Sequence, residues 1–380
     1  MMWCAQLPIR NLEENEVRED VMSSRPTTLV FPATNQGAWD YVEGALERGE
    51  SVCCAASGHG LTIGEFGLQV QALPSIYDEN FLDELNRLVE RDCVARVFCP
   101  VLMVHDHIKR LIIEGKIRLE LIGDSPIALQ MKRHARLMSK VRSLYPFFRS
   151  CDVRTEAVQE LDFASMLRNS SLIYGESNDE KLTAMFSVMS SAPKGDVIEI
   201  GCLMGKSAFV MSYASQLYEL GSFLSVDPWN FGEAVQQDSP ESLKEMAHVW
   251  DIEVLREGFF IHTLQTCHAQ HVHLRKPSRN AFDDYMSEAE LQDVRGNKVS
   301  YVRKIAAIHI DGNHDYESVK LDCELWLTRV QAGTWLILDD YLWAHGDGPY
   351  RIGNALLETE WHRIRRAFVC GKALFVQFES

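Results

Sequence analysis

The stretch that decides the fold is GDVIEIGCLMGKS, which runs from Gly195 to Ser207. It opens with a short apolar run that suits a strand buried on both faces. The run breaks at Gly201 and Gly205, and a helical pattern begins at Ser207. Glycines at such a turn let the backbone pass close to a ligand at the carboxyl end of the strand. Strand, glycine turn and helix therefore predict the first unit of a nucleotide-binding α/β sheet, with Glu199 just before the turn.

Three interpretations fit this turn. The letters GCLMGKS resemble a Walker A loop, in which a lysine and backbone amides hold phosphates. This loop has three residues between its glycines, where that motif has four. The letters EIGCLMGKS also resemble motif I of the class I S-adenosylmethionine-dependent methyltransferases. A tight turn that binds nothing is the third interpretation, and the elements downstream decide among them.

The composition is that of a folded, acidic protein. With 380 residues the chain is long enough for two domains, and its formal net charge is −16. This charge disfavours a nucleic-acid-binding face, which needs clustered Lys and Arg, and we interpret Lys132–Arg142 as the solvated face of a helix. No apolar run reaches the length of a membrane span, and the acidic N-terminus lacks the apolar region of a signal peptide. The ten cysteines are irregularly spaced, which suits reduced thiols and predicts a cytoplasmic protein.

Residues 26–126 are predicted to form a small α/β domain. Strand candidates alternate there with helical patterns, which favours a parallel sheet. The strand candidates are Thr27–Ala33, Ser51–Ser57 and Ala95–Val101, and the helical patterns are Ala38–Gly49 and Glu79–Asp92. On LVFPATNQGAWDYVEGAL and IGDSPIALQMKRHARL, the segment resembles the Rossmann-like domain that precedes the catalytic part of ATP-grasp enzymes. The ATP-binding part of that family does not follow, so ligase activity is not implied. We expect substrate positioning or subunit contact instead.

The other boundaries follow from composition and pattern. Residues 1–25 are expected to be a peripheral extension, and residues 127–170 a mainly helical bridge that is interrupted at Pro146. Residues 171–380 then form the main domain, and a helix at Asn178–Ser191 leads the chain into the glycine turn.

Acidic residues follow several buried strands of this main domain. The strand Ser222–Trp229 carries Asp227 near its end, where such a residue accepts hydrogen bonds from ribose hydroxyls or, alternatively, caps a helix. Two later apolar runs end at Asp311 and at the pair Asp339 and Asp340. Parallel strands bring these carboxylates to one edge of the sheet, where they repel one another unless a cation or protons intervene. Hard oxygen ligands of this kind suit Mg²⁺.

The segment CHAQHVH, Cys267–His273, invites a metal interpretation that its spacing does not support. We interpret Val272–Phe282 as the third strand of the main domain followed by a loop, which places Ser278 near the adenine side of a bound cofactor. Asp283–Lys298 is expected to be a polar surface insertion.

Residues from about 170 to 378 resemble the methyltransferase family that includes the macrocin and other antibiotic-sugar O-methyltransferases. The motifs that carry the resemblance are EIGxxxGxS, VDPW, IDGxHxYE and LDDY, in that order. It implies an α/β fold in which a Rossmann-like class I domain with a mostly parallel seven-stranded sheet follows the smaller Rossmann-like domain. It implies that S-adenosylmethionine is surrounded by Glu199, Gly201, Gly205, Ser207 and Asp227. It also implies that Asp311, Asp339 and Asp340 hold a divalent metal.

The expected reaction is methyl transfer to a hydroxyl group of a small molecule such as a sugar or another natural product. His314 is one candidate for the general base and Asp311 is the other, while His345 is expected at the substrate mouth. Relatives commonly associate, so a homo-oligomer is compatible with the resemblance. The alternatives are a non-catalytic scaffold or sensor that binds S-adenosylmethionine and a P-loop-like phosphotransferase.

Overall fold

The structure is a computed structural model that describes residues 26–379 apart from residues 59–64, 153, 155–157, 237–240, 242–244, 246–249 and 267–269. The predicted extension 1–25 and the start of the CHAQHVH segment lie outside the described residues. The chain divides into two compact units, Met1–Ala135 and Arg136–Ser380. No helix among the described residues is long and apolar enough to cross a membrane.

The first unit contains a five-stranded parallel sheet in the order β3-β2-β1-β4-β5. Its elements are β1 (Thr27–Val30), α1 (Gln36–Glu47), β2 (Val52–Ala56), β3 (Val70–Ala72), α2 (Phe81–Arg91), β4 (Val94–Phe98), α3 (Leu102–Ile113) and β5 (Glu120–Ile122). The strands and helices expected from the alternating pattern are present. The three-residue strands β3 and β5 were not anticipated, because so short a run carries no clear period.

Local chemistry explains where these helices begin and pack. Asn35 caps α1, since its side-chain oxygen accepts a hydrogen bond of 3.0 Å from the backbone N–H of Ala38. In α2, Phe81, Leu85 and Leu88 recur at helical spacing and are buried. Each face of the sheet is therefore covered by an apolar helix surface, and the unit has its own core.

The long helix α4 (Pro126–Cys151) runs through Pro146, so the predicted interruption there is wrong. A proline inside a helix lacks one backbone hydrogen bond, and packing compensates for that loss here. The ring of Phe148 stacks on Phe163 with centroids 4.8 Å apart. The Tyr145 hydroxyl donates a hydrogen bond of 2.7 Å to the carbonyl of Val158.

The second unit is built on a seven-stranded sheet in the order β13-β14-β12-β11-β6-β7-β8. Its strands are β6 (Asp196–Ile200), β7 (Phe223–Val226), β8 (His271–Leu274), β11 (Ile305–Ile310), β12 (Val330–Leu338), β13 (Ile364–Cys370) and β14 (Ala373–Phe378). The five strands from β12 to β8 in this order are parallel, whereas β14 is antiparallel to both of its neighbours. The predicted α/β fold with mostly parallel sheets is confirmed.

Helices cover this sheet on both faces, and two apolar cores result. The helices are α5 (Glu160–Ser170), α6 (Asp179–Val188), α7 (Lys206–Leu217), α8 (Phe231–Ala234), α9 (Ile252–Thr263), α10 (Ser278–Ser287), α11 (Tyr316–Trp326) and α12 (Gly348–Thr359). Because both faces are covered, every residue of β6 and β11 is buried. This explains why apolar residues predominate in these strands, although β6 also contains Asp196 and Glu199 and β11 contains His309. All eight cysteines among the described residues are free, and seven of them are buried.

The segment after β8 is more ordered than predicted. The expected loop is the helix α10, and the expected insertion carries a hairpin of β9 (Glu290–Gln292) and β10 (Lys298–Ser300). Tyr285 on α10 is buried and its hydroxyl donates to the carboxylate of Asp196 at 2.8 Å. Ala281 on the same helix and Leu291 and Val299 in the hairpin are buried as well, and the polar composition of the segment gave no indication of these anchors.

Candidate active site

The candidate site lies at the carboxyl edge of the seven-stranded sheet, where β6 and β11 pair. From β6 the chain proceeds to β7 and β8 on one side and then returns to β11 and β12 on the other. In open α/β sheets, ligands bind at such a reversal of strand order. The register aligns Ile200 with Val226 and with Ile310, and Ile310 with Leu338. The residues that follow these four therefore emerge together.

The glycine turn and the end of β11 are in direct contact. The φ angle of Gly201 is +81°, and a Cβ atom there would lie 2.0 Å from the carbonyl oxygen of Asp311. The backbone N–H of Asp311 also donates to the carbonyl of Ile200 at 2.8 Å. Only glycine satisfies both the left-handed conformation and this close approach. The turn and Asp311 thus form one fixed structure.

Gly205 and Asp227 complete the turn. Gly205 stands at the start of α7 with a φ of +88°, and an added Cβ would lie 3.0 Å from the Phe259 ring. One carboxylate oxygen of Asp227 accepts from the backbone N–H groups of Cys202 at 2.8 Å and Leu203 at 3.2 Å. Burial raises the pKa of Asp227, although these donors act in the opposite direction. The structure brings together Gly201, Gly205 and Asp227, and their contacts to a cofactor stay predictions.

Glu199 and Ser207 lie within the core next to the turn. Glu199 is fully buried, and its Oε1 lies 2.9 Å from Nδ1 of His309, its partner in register on β11. The Ser207 hydroxyl also interacts with the Glu199 carboxylate, while burial raises the pKa of Glu199 to about 8. Ser278 has a different environment at the start of α10, where its hydroxyl accepts a hydrogen bond from the indole of Trp326 at 2.9 Å.

Three aspartates and two histidines form the charged part of the site, which we call the acid–histidine group. Its members are Asp311, Asp339, Asp340, His309 and His314. Oδ2 of Asp311 lies 3.7 Å from His309 Nε2, and its Oδ1 lies 3.6 Å from His314 Nε2. His309 Nε2 is 3.9 Å from Asp339 Oδ2, and His314 Nδ1 is 3.2 Å from Asp340 Oδ2.

The predicted metal ligands Asp311, Asp339 and Asp340 therefore meet, but in two overlapping groups. One group has the geometry to hold a metal ion through His309, Asp311 and Asp339, and the other through Asp311, His314 and Asp340. Asp311 belongs to both groups through its two oxygens. His309 was missed at the sequence level, because nothing in a continuous apolar strand indicates which face a single histidine occupies.

Two lysines of the site were also missed. Lys181, in the first turn of α6, is 2% exposed; its ammonium contacts Oδ2 of Asp339 and lies 3.6 Å from Oδ2 of Asp311. Lys372 Nζ lies 2.9 Å from Oδ1 of Asp340. In the sequence, Lys181 follows Asp179 and Glu180 and resembles an ordinary solvated helix start. The one available signal was a cation in the first turn, which the helix dipole disfavours.

Burial and mutual proximity shift the pKa values of these groups. Burial and the neighbouring Asp339 raise the pKa of Asp311 to about 7. Burial alone would raise the pKa of Asp339, but Lys181 and His309 hold this pKa below the usual range. The pKa of His314 is raised despite burial, because its ring faces Asp311 and Asp340. The site therefore combines the ionised carboxylate of Asp339 with an Asp311 carboxyl group whose pKa is about 7 and a His314 imidazole whose pKa is raised.

The residues present fit a divalent cation. Among the described residues, the buried atoms His309 Nε2, His314 Nε2 and Asp339 Oδ1 have no hydrogen-bond partner. Buried polar atoms of this kind are costly unless a ligand or ion satisfies them. Carboxylate oxygens and imidazole nitrogens are common ligands of divalent metals.

Aromatic rings continue outward from His314. Its ring lies 5.2 Å from that of Trp343, which in turn lies 5.4 Å from that of His345. Gln236 Nε2 lies 3.2 Å from His314 Nδ1, and the Asn313 side chain donates to the Glu233 carbonyl at 3.0 Å. His345 is exposed, so the row of rings extends from the acid–histidine group to the surface.

Comparisons with known proteins bear on this part of the chain. Residues 198–341 match a family described as a methyltransferase domain. A search of curated proteins finds no match. Solved structures with similarity include the O-methyltransferase NovP, at 15% identity over 53% of this chain and 80% of that chain, with a TM-score of 0.39. The calicheamicin methyltransferase CalS11 is 13% identical over 68% of this chain and 95% of that chain, with a TM-score of 0.38. The O-methyltransferase TomG from Streptomyces achromogenes is 11% identical over 63% of this chain and 96% of that chain, with a TM-score of 0.36.

The matched segment begins in β6, contains the glycine turn and ends just after Asp339 and Asp340. It therefore includes both the turn and the acid–histidine group. Over residues 198–341 the chain is therefore similar to a methyltransferase domain, which supports the prediction of an S-adenosylmethionine-dependent methyltransferase.

Proposed function

We propose that the second unit transfers the methyl group of S-adenosylmethionine to a hydroxyl group of a small molecule, with the help of a divalent cation. The observation that carries this proposal is the contact between Gly201 and the carbonyl of Asp311. Because of that contact, a donor bound over the glycine turn lies beside the acid–histidine group. A hydroxyl held by that group would then face the methyl group.

Different residues of the chain bind the donor, support the turn and accept the proton. Asp227 and the turn Gly201–Gly205 bind and orient the donor, and Glu199 and Ser207 support the turn from within the core. When bound, S-adenosylmethionine supplies an electrophilic methyl group and a divalent cation lowers the pKa of a coordinated hydroxyl. His314 and Asp311 are the two groups placed to accept the hydroxyl proton, and both have raised pKa values.

The favoured acceptor is a sugar or another polyhydroxylated natural product. His314, Trp343 and His345 offer ring faces and hydrogen-bonding edges along one path to the surface. Such a surface suits a ring-shaped molecule with several hydroxyl groups. The first unit is proposed to position this acceptor or to contact a second copy of the chain.

Two measurements separate this proposal from its alternatives. Titration calorimetry with S-adenosylmethionine and with ATP distinguishes a methyl donor site from a phosphate site. Release of S-adenosylhomocysteine, assayed over a panel of sugars, nucleotide sugars and catechols, distinguishes an enzyme from a scaffold. We expect binding of S-adenosylmethionine but not of ATP, and turnover with at least one polyhydroxylated acceptor.

Asp311→Asn makes the test specific for the acid–histidine group. We expect this variant to lose at least about a hundredfold in turnover, because it removes a proton acceptor and a metal ligand. Asp283→Asn, an exposed position on α10, is the matched control and should leave turnover unchanged. Full activity of Asp311→Asn, or of the wild-type chain in EDTA, would contradict the proposed base or the proposed cation, respectively.

A further inference from the structure

The acid–histidine group already contains a cation supplied by the chain. The Lys181 ammonium contacts Oδ2 of Asp339 and lies 3.6 Å from Oδ2 of Asp311. These two oxygens are the ones that His309 Nε2 faces, at 3.9 and 3.7 Å. The ammonium therefore lies among the three side chains of one of the two potential metal groups.

Lys181 is held firmly in this position. Its backbone N–H donates to the side chain of Asn178, which caps α6, at 2.9 Å. A Cβ atom added at Gly371, in the turn before β14, would lie only 3.1 Å from the Cβ of Lys181, so the backbone of this turn packs closely against Lys181. The side chain is 3% exposed. Moving the ammonium away would leave the buried Asp339 carboxylate unpaired, which is strongly unfavourable.

The other carboxylate oxygen of Asp311, Oδ1, has different surroundings. There Oδ1 of Asp311 faces His314, whose Nε2 is buried and has no hydrogen-bond partner among the described residues. His314 also faces Asp340 at 3.2 Å. Lys372, which contacts the far oxygen of Asp340, has a side chain that is 42% exposed, whereas that of Lys181 is buried.

We propose that a divalent ion is held by Asp311, His314 and Asp340, and that Lys181 keeps Asp339 out of the ligand set. This assignment rests on the cation in the proposed function and replaces one of its three carboxylates by an imidazole. Lys181 is then a positioning residue, which neutralises Asp339 and fixes the orientation of Asp311.

The test measures Mn²⁺ binding to the full chain by electron paramagnetic resonance. The signal of free Mn²⁺ gives the affinity, and the spin-echo modulation of bound Mn²⁺ detects nitrogen atoms among its ligands. We expect one bound ion with coupling to an imidazole nitrogen. His314→Gln should abolish this coupling and weaken Mn²⁺ binding at least about tenfold. Asp340→Asn should weaken Mn²⁺ binding by a similar factor. His309→Gln, the matched control for an imidazole, should retain the coupling.

Lys181 is tested as a pair with Asp339, since either single change leaves a buried charge without its partner. The double variant Lys181→Met with Asp339→Asn removes both charges. We expect its Mn²⁺ affinity to stay within about threefold of the wild-type value, with the nitrogen coupling retained. Its urea unfolding curve shows whether it is folded.

Bound Mn²⁺ without nitrogen coupling, or a large loss of affinity in the folded double variant, would overturn the ligand assignment alone. Absence of Mn²⁺ binding would overturn both the assignment and the cation. Binding of S-adenosylmethionine and turnover in EDTA, measured in parallel, show whether the methyltransferase proposal itself survives.

Discussion

At the scale of single residues, the site depends on a backbone contact that only glycine permits. Gly201 was singled out from the sequence because a glycine turn follows a buried strand. That prediction could not include the contact with Asp311, which is more than 100 residues away in the chain. Lys181 and His309 escaped notice for the same reason, since their partners come from distant strands.

Gly201→Ala should destabilise the chain and abolish binding of S-adenosylmethionine. A Cβ there meets the Asp311 carbonyl and also forces a left-handed conformation, so we expect a loss of about 3 kcal/mol in the free energy of unfolding. Gly296→Ala is the matched control, because Gly296 has a φ of +80° with no atom within 4 Å of an added Cβ. It should cost about 1 kcal/mol and leave binding intact. Equal urea midpoints for the two variants would refute the clash.

Asp227→Asn should weaken binding of S-adenosylmethionine at least about tenfold and lower the free energy of unfolding by about 1–2 kcal/mol. The carboxylate accepts backbone hydrogen bonds from Cys202, Leu203 and Trp229, and an amide cannot accept at both of its ends. Asp293→Asn makes the same change at a carboxylate in the β9–β10 hairpin, where one oxygen accepts from the backbone N–H groups of Arg295 and Asn297 and the other from the Asn297 side chain. Calorimetry on this control should give the wild-type affinity. Unchanged affinity in Asp227→Asn would remove that residue from the cofactor site.

At the scale of elements, strands were easier to predict than the segments between them. The apolar runs of β6, β11 and β12 are visible because both faces of the sheet are covered. Helix α4 passes through Pro146 and α10 replaces an expected loop, because tertiary packing of Phe148 and Tyr285 outweighs local signals. Local pattern therefore indicates the long buried strands, whereas the short strands β3 and β5 and the connections depend on long-range packing.

The strand pair β7–β8 should make the chain sensitive to acid. Burial lowers the pKa of His271 to about 3, and its ring lies 2.7 Å from the Ser225 hydroxyl. The unfolded chain binds a proton at this histidine below about pH 6.5, whereas the folded chain stays neutral there. Stability is therefore lost as the pH falls from about 6.5 towards 3, by about 1.4 kcal/mol per pH unit for this group.

Urea unfolding of His271→Asn between pH 7 and pH 4.5 measures this contribution. The variant should show a shallower decline in the free energy of unfolding than the wild-type chain. His362→Asn, an exposed position, should follow the wild-type curve. Parallel curves for His271→Asn and the wild-type chain would contradict the assignment of acid sensitivity to β8.

At the scale of the whole molecule, the two units have separate sheets and separate cores. The length of the chain and the alternation of strands and helices indicated two α/β domains joined by a helical bridge at residues 127–170, and the division falls after Ala135, inside α4 and within that predicted bridge. The buried residues of α4 (Val141, Phe148 and Cys151) all lie in its second half, which belongs to the second unit.

A chain that begins at Pro126, and so keeps α4 whole, should retain binding of S-adenosylmethionine within about threefold. Every residue of the glycine turn and of the acid–histidine group belongs to the second unit. We expect the shortened chain to show a raised KM for the acceptor or an altered mass by light scattering, since the first unit is proposed to position the acceptor or to contact another copy. Unchanged values of both would exclude those roles.

A crystal structure of the full chain with S-adenosylhomocysteine and Mn²⁺, recorded with anomalous diffraction, tests the proposed arrangement of methyl donor and metal ion. We predict a nucleoside over the turn Gly201–Gly205 beside Asp227, and an anomalous peak next to Asp311. A nucleoside bound away from this turn, or a manganese ion bound away from Asp311, would contradict this prediction.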